Sequence, residues 1–152
     1  GRMSSSLHAC PPGPPRYDFH MAGATQRSES LGLRVTLDRL LYQRLDPAQS
    51  NGRPHAFVYF LSIHNDGPTS VTIRGRKWVV THGDGSTLIV EGDGVVGQQP
   101  VIEPGAKFSY NSYHTIQNRN AKAEGAFIGE DVHGRAVVAR IPAFQLEVPE
   151  TE

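Results

Sequence analysis

Gly92-Asp93-Gly94-Val95-Val96-Gly97 has the glycine spacing of a nucleotide-binding loop, with Arg74, Arg76 and Lys77 a short way upstream. Successive backbone amides beside glycine can form a concave nest for an anion, and nearby cations can complete a phosphate site. One reading therefore places a phosphate-bearing small molecule, a nucleotide or pyrophosphate, on Gly92, Gly94, Gly97, Arg74, Arg76 and Lys77. The surrounding residues favour a different reading. A dinucleotide site needs its glycines to close a strand and open a helix whose N-terminus meets the pyrophosphate. Here Val95 and Val96, both β-branched, sit inside the run, and Pro100 and Pro104 follow it. A helix cannot pass through that proline spacing. No Gly-Lys-Ser/Thr triplet supplies a P-loop. The glycines are expected to shape a kinked strand or bulge.

Other reactive residues form no recognisable pattern. Ser109, Ser112, His114 and Asp131 contain the residue types of a triad, but no Gly-x-Ser-x-Gly elbow presents a nucleophile. The expectation is a protein that is not an enzyme. His55, His64, His82, His114 and His133 lack the spacing of a helical metal motif, and no cysteine accompanies them, so neither metal nor cofactor is expected. Trp78 shares a strand face with Val80 and is expected in the core. Tyr110 and Tyr113 have opposite parity on one strand, so only one can point inward. Tyr113 is the candidate interface aromatic.

Charge and composition narrow the partners. Fifteen basic residues balance fifteen acidic ones, which removes the broad electrostatic drive for nucleic-acid binding. No apolar run approaches the length of a membrane span. The sole cysteine, Cys10, cannot form an internal disulfide, and a cytoplasmic setting is expected. Residues 1–30 carry Ser4-Ser5-Ser6 and Pro11-Pro12-Gly13-Pro14-Pro15, too little apolar surface to fold. They are expected to be a disordered tail, vector-derived in part, with Met3 or Met21 as the start. Residues 31–152 form the domain.

Within that domain, turns separate short alternating runs. Leu33, Val35 and Leu37 alternate with polar residues, and Leu40-Leu41-Tyr42 allows a short helical turn after them. Ala56 to Asn65 alternates strongly. Val71 to Thr81 is a strand interrupted by Gly75, followed by the hairpin signal His82 to Gly85. Further strands follow Pro104 and flank the turn Asp131 to Gly134. Many short strands without a convincing helix predict an all-β, antiparallel β-sandwich.

The quoted segments resemble the ApaG domain family from Leu33 to Pro149. The similarity rests on Ala56 to Gly67, on the Arg-x-Trp strand and hairpin of Arg76 to Gly85, on Val90 to Ser112, and on the closing runs Glu124 to Gly134 and Ala139 to Glu150. The chain departs from the pattern after Ser112: Tyr113 stands where bacterial members usually carry glycine, Asn118 to Ala121 replaces a segment that commonly has Thr-Pro, and Gly129 replaces a larger apolar residue. The resemblance implies a fibronectin-type-III-like sandwich. It also implies a protein-interaction role, as in fused relatives, with a protein partner or a second copy of the chain. Stand-alone bacterial members are associated with cobalt and magnesium homeostasis, with no settled biochemical activity.

Overall fold

Alternation of apolar and polar side chains builds the first hairpin. In the computed structural model, which describes residues 32–150, strand β1 (Leu33–Arg44) pairs antiparallel with β2 (His55–Asn65). Leu33, Val35, Phe57, Tyr59, Leu61 and Ile63 are buried, as a period of two requires when one face is covered. The tail expectation for residues 1–30 falls outside the described residues. Leu40-Leu41-Tyr42 is not a helical turn but a continuation of β1. A bulge between Leu37 and Arg39 resets the alternation, so Leu40 and Tyr42 pack on the core while Leu41 is exposed. The loop after β1 holds a single 3-10 turn, Pro47–Gln49, capped by the Asp46 carboxylate, which accepts from the Ala48 amide at 3.0 Å.

The remaining strands are β3 (Val71–His82), β4 (Thr87–Asp93), the two-residue β5 (Val101–Ile102), β6 (Lys107–Ile116), β7 (Asn120–Asp131) and β8 (Ala136–Glu147). One sheet has the order β1-β2-β6. The other runs β4-β3-β7-β8, with β5 added to β3, and all of these pairings are antiparallel. Strand β8 runs unbroken through Pro142. Pro142 lies where the β7–β8 register slips between Ala123 and Gly125, so its missing amide interrupts no matched pair.

The inner faces of the two sheets form one core. Trp78, 1% exposed, lies against Tyr59 (ring centroids 4.9 Å apart), His114 (4.6 Å) and Phe144 (6.0 Å). This is an antiparallel β-sandwich of the fibronectin-type-III and immunoglobulin-like class.

Candidate functional site

The glycine run closes β4 and turns back on itself. The β3–β4 ladder ends at Gly75 opposite Asp93, and a reciprocal pair of bonds joins Val95 and Gln98 (2.7 and 2.9 Å). Val96 (φ 43°) and Gly97 (φ 82°) occupy the two central positions of this turn. A two-residue hairpin turn of type I′ demands positive φ at both positions. A β-branched residue rarely adopts such a φ. Val96 tolerates it here while its side chain packs on the core beside Val95, which is fully buried. Gly94 (φ 63°) sits where an added Cβ would lie 2.1 Å from the Gln98 carbonyl oxygen. The run is thus a strand end and a tight turn with no helix behind it.

Three of the amides around the run are engaged in the backbone itself. Gly94 N–H donates to the Arg74 carbonyl at 2.7 Å, and the amides of Val95 and Gln98 bond to each other's carbonyls. The three cations are not gathered around the turn. The Arg76 guanidinium reaches it, but donates to the carbonyl oxygens of Asp93 (2.9 Å) and Gly94 (3.2 Å). Arg74 instead pairs with Glu130 (3.0 Å) and donates to Gln99 (2.8 Å). Lys77 lies 3.6 Å from Glu91. A bulge in β3 between Ile73 and Gly75 offsets Arg74 from the strand's later alternation, and Arg76 and Lys77, as neighbours, face opposite sides. Gly92, Gly94, Gly97, Arg74, Arg76 and Lys77 therefore do not form one cradle. A groove of about 850 Å³ near β1 and β8 includes Lys77 in its lining, along with Arg34, Asp66, Glu124 and Arg140, but none of the three glycines.

The triad-type residues are also dispersed. Ser112 and His114 are buried on the inner face of β6, whereas Ser109 is exposed on the outer face. Asp131 anchors the β7–β8 hairpin of the other sheet, accepting from the amides of His133 and Arg135 and pairing with the Arg135 guanidinium, each at 2.9 Å. Among the described residues, no three His, Cys, Asp or Glu side chains are placed to hold a metal ion. No helix of the described residues is long and apolar enough to cross a membrane.

The outer face of the β1-β2-β6 sheet carries a different arrangement. Tyr110 turns inward and Tyr113 outward. Leu41, Val58 and Tyr113 are direct cross-strand partners, so they form one apolar row across all three strands. The adjacent row is Arg39, Phe60 and Asn111, with the Arg39 guanidinium 5.9 Å from the Phe60 ring centroid. Beyond it lies a hydrogen-bond chain. Ser62 donates to Asp38 at 2.5 Å and Thr36 donates to Asp38 at 2.9 Å. Each hydroxyl has one proton, so Ser109 must donate to Ser62 (2.8 Å) and His64 Nε2 to Thr36 (3.0 Å). The Ser62 bond, more than any other contact, holds the Asp38 carboxyl below the usual carboxylate range. All donors converge on this one anion, which makes it a structural anchor and a weak base.

Of this face, the sequence reading picked out only Tyr113. It followed the inward parity of β2 (Phe57, Tyr59, Leu61, Ile63) and passed over the outward Val58 and Phe60. Two consecutive outward apolar residues on one strand were the available signal. Arg39 and Leu41 join them through the β1 bulge, which gave no sequence sign.

Comparisons with known proteins agree with this architecture. The ApaG domain family model matches residues 46–131. Protein ApaG of Deinococcus radiodurans is 40% identical over 102 residues, covering 67% of this chain and 80% of that one. Protein ApaG of a Methylobacterium species (strain 4-46) is 36% identical over 124 residues, covering 81% and 93%. The crystal structure of an ApaA protein from Bordetella pertussis superposes with a TM-score of 0.68 at 29% identity, covering 78% of this chain and 94% of the other. With more than half its length matched by the family model and full-length relatives above a third identical, this chain belongs to the ApaG family.

Proposed function

We propose that this chain is a non-catalytic protein-interaction module of the cytoplasm. Its contact surface is the outer face of the three-stranded sheet, with Tyr113 as an anchor. The observation that carries this reading is the Leu41–Val58–Tyr113 row, continued by Phe60 in the next row, on a face that no other element of the described fold covers. Contiguous surface apolar residues with aromatic anchors are characteristic of binding sites. The strands beneath them are paired in continuous ladders, so little backbone freedom remains to be lost on association. The dispersal of Ser109, Ser112, His114 and Asp131 supports a role without catalysis. Under this reading, the link between stand-alone family members and cobalt and magnesium homeostasis passes through the recruited partner.

The test is a random peptide library displayed on phage and panned against the chain, with the selected peptides mapped by backbone amide shifts. The expected shifts fall on outward positions of β1, β2 and β6, and Tyr113→Ala weakens binding at least tenfold. Shifts confined to the glycine turn or to the β4-β3-β7-β8 sheet would overturn the reading.

A further inference from the structure

Resting on the reading that this face is the docking surface, we propose that its partner is an acidic segment of another protein. The segment sets an apolar side chain against Tyr113 and places carboxylates at Arg39 and Lys107.

The first argument is charge segregation. The chain as a whole is balanced, with fifteen residues of each sign. The three strands of this sheet are not. They carry Arg34, Arg39, Arg44 and Lys107 against one carboxylate, Asp38. Asp38 stays ionised, accepting from Ser62 and Thr36, and its charge partly offsets that of nearby Lys107. Arg34 is paired with Asp66 at 2.8 Å. Arg39 and Lys107 are different. Both are exposed, and neither has a carboxylate within salt-bridge distance among the described residues. A like-charged or neutral partner would cover Arg39 with no carboxylate beside it and Lys107 with only the more distant Asp38, whereas carboxylates would pair with both.

The second argument is spacing. Val58 pairs with Tyr113 and His64 with Lys107, so the apolar row and Lys107 lie at opposite ends of the same stretch of ladder, six residue steps apart. At about 3.3 Å per residue, that stretch is roughly 20 Å long, with Arg39 lying between its ends. An extended segment of about eight residues covers it, or an amphipathic helix of comparable length.

The surface suits a protein better than a nucleic acid. Single strands are held by successive aromatic faces beside a continuous basic groove. Here the apolar row is two-thirds aliphatic, Leu41 and Val58, and the Phe60 ring is capped by the Arg39 guanidinium. Aliphatic side chains fit such a row, and carboxylates fit the arginine edge.

The experiment uses the full chain and fluorescence anisotropy at low and moderate ionic strength. The probes are a labelled acidic peptide of about eight residues with a Phe-Leu pair at one end, in both sequence orders, its analogue with lysine for every glutamate, and a short oligo-dT. The expected result is that the acidic peptide binds at least tenfold tighter than the lysine analogue and weakens with salt. The preference should invert in the Arg39→Glu/Lys107→Glu double variant, and Tyr113→Ala should weaken binding without inverting it. Circular dichroism melts confirm that each variant is folded. Failure of the acidic peptide to bind, or an affinity unchanged by the double charge reversal, overturns the proposal. If the lysine analogue binds better and is lost in Tyr113→Ala, the face stands and the acidic partner falls. If peptide binding is indifferent to Tyr113→Ala, the docking face itself is refuted. Oligo-dT binding that depends on Tyr113 would mean that a nucleic acid is the occupant.

Discussion

Lowering the pH from 7.5 to 4.5 should remove a substantial part of this domain's stability through one side chain, His114. The imidazole is 3% exposed and lies between the Tyr59 ring, 4.8 Å away, and the edge of Trp78, 4.6 Å away. Among the described residues its Nε2 has no hydrogen-bond partner. Burial alone pushes its pKa down from 6.5 to about 3, because no nearby anion or acceptor stabilises the charged ring. The sign follows from proton binding. Below pH 6.5 the unfolded chain takes up a proton at this histidine, and the folded chain does not until near pH 3. The unfolded state therefore binds more protons across this window, and stability falls as pH falls, at up to about 1.4 kcal/mol per pH unit. At pH 4.5, two units below the unfolded value, the loss is on the order of 2–3 kcal/mol, a large share of a domain's usual 5–15 kcal/mol. The carboxylates of Asp38, Asp66, Asp84 and Asp131 are all held below their ordinary range. Their stabilising contributions are present above the unfolded carboxylate pKa and are lost mainly below about pH 4, outside this window. Urea unfolding of the parent and of His114→Leu at pH 7.5, 6.0, 5.0 and 4.5 isolates the effect. The parent should lose stability steeply below pH 6.5, and the variant should be flatter by about 2–3 kcal/mol over the range. Equal slopes for the two proteins, or a resonance assigned to the His114 imidazole of the folded parent titrating near 6.5, would refute the reasoning.

Other expectations follow from the same geometry. Gly94→Ala should cost on the order of 1–3 kcal/mol in urea melts with no ligand present, since it combines a positive φ with a Cβ 2.1 Å from a carbonyl oxygen. Gly97→Ala should cost less, about 1 kcal/mol, because its φ is positive but nothing lies within 4 Å of the added carbon. An anion-cradle role would instead leave both melts at the parent value while abolishing binding of added pyrophosphate. Trp78→Ala should lower stability by about 3–5 kcal/mol, and parent tryptophan fluorescence should be blue-shifted and red-shift on unfolding, as a residue 1% exposed requires. Tyr113→Ala should leave the melting temperature within a few degrees of the parent, because its side chain is half-buried on the outer face and lies outside the core cluster.

Local chemistry determined much of this protein. The alternation of Phe57, Tyr59, Leu61 and Ile63 makes one buried face of a strand whatever it pairs with, since a side-chain period of two is a property of the extended backbone. The prolines at 100 and 104 and the β-branched Val95 and Val96 rule out a helix after the glycines without any knowledge of the fold, and the structure has a turn there. Trp78 with Val80, and the parity of Tyr110 against Tyr113, were legible for the same reason. What the sequence could not specify depends on pairing between segments far apart in the chain. The β1 bulge, which turns Leu40 and Tyr42 inward and Leu41 outward, exists only in the register with β2. The sharing of Arg74, Arg76 and Lys77 among Glu130, two loop carbonyls and Glu91 depends on a second bulge in β3 and on which strands lie beside it. The apolar row of Leu41, Val58 and Tyr113 joins residues from three strands, and the hydrogen-bond chain from Ser109 through Ser62 to Asp38 does the same. The sequence carries every one of these side chains, but only the cross-strand ladders make them neighbours, because tertiary pairing, and no local preference, decides which residues stand opposite one another.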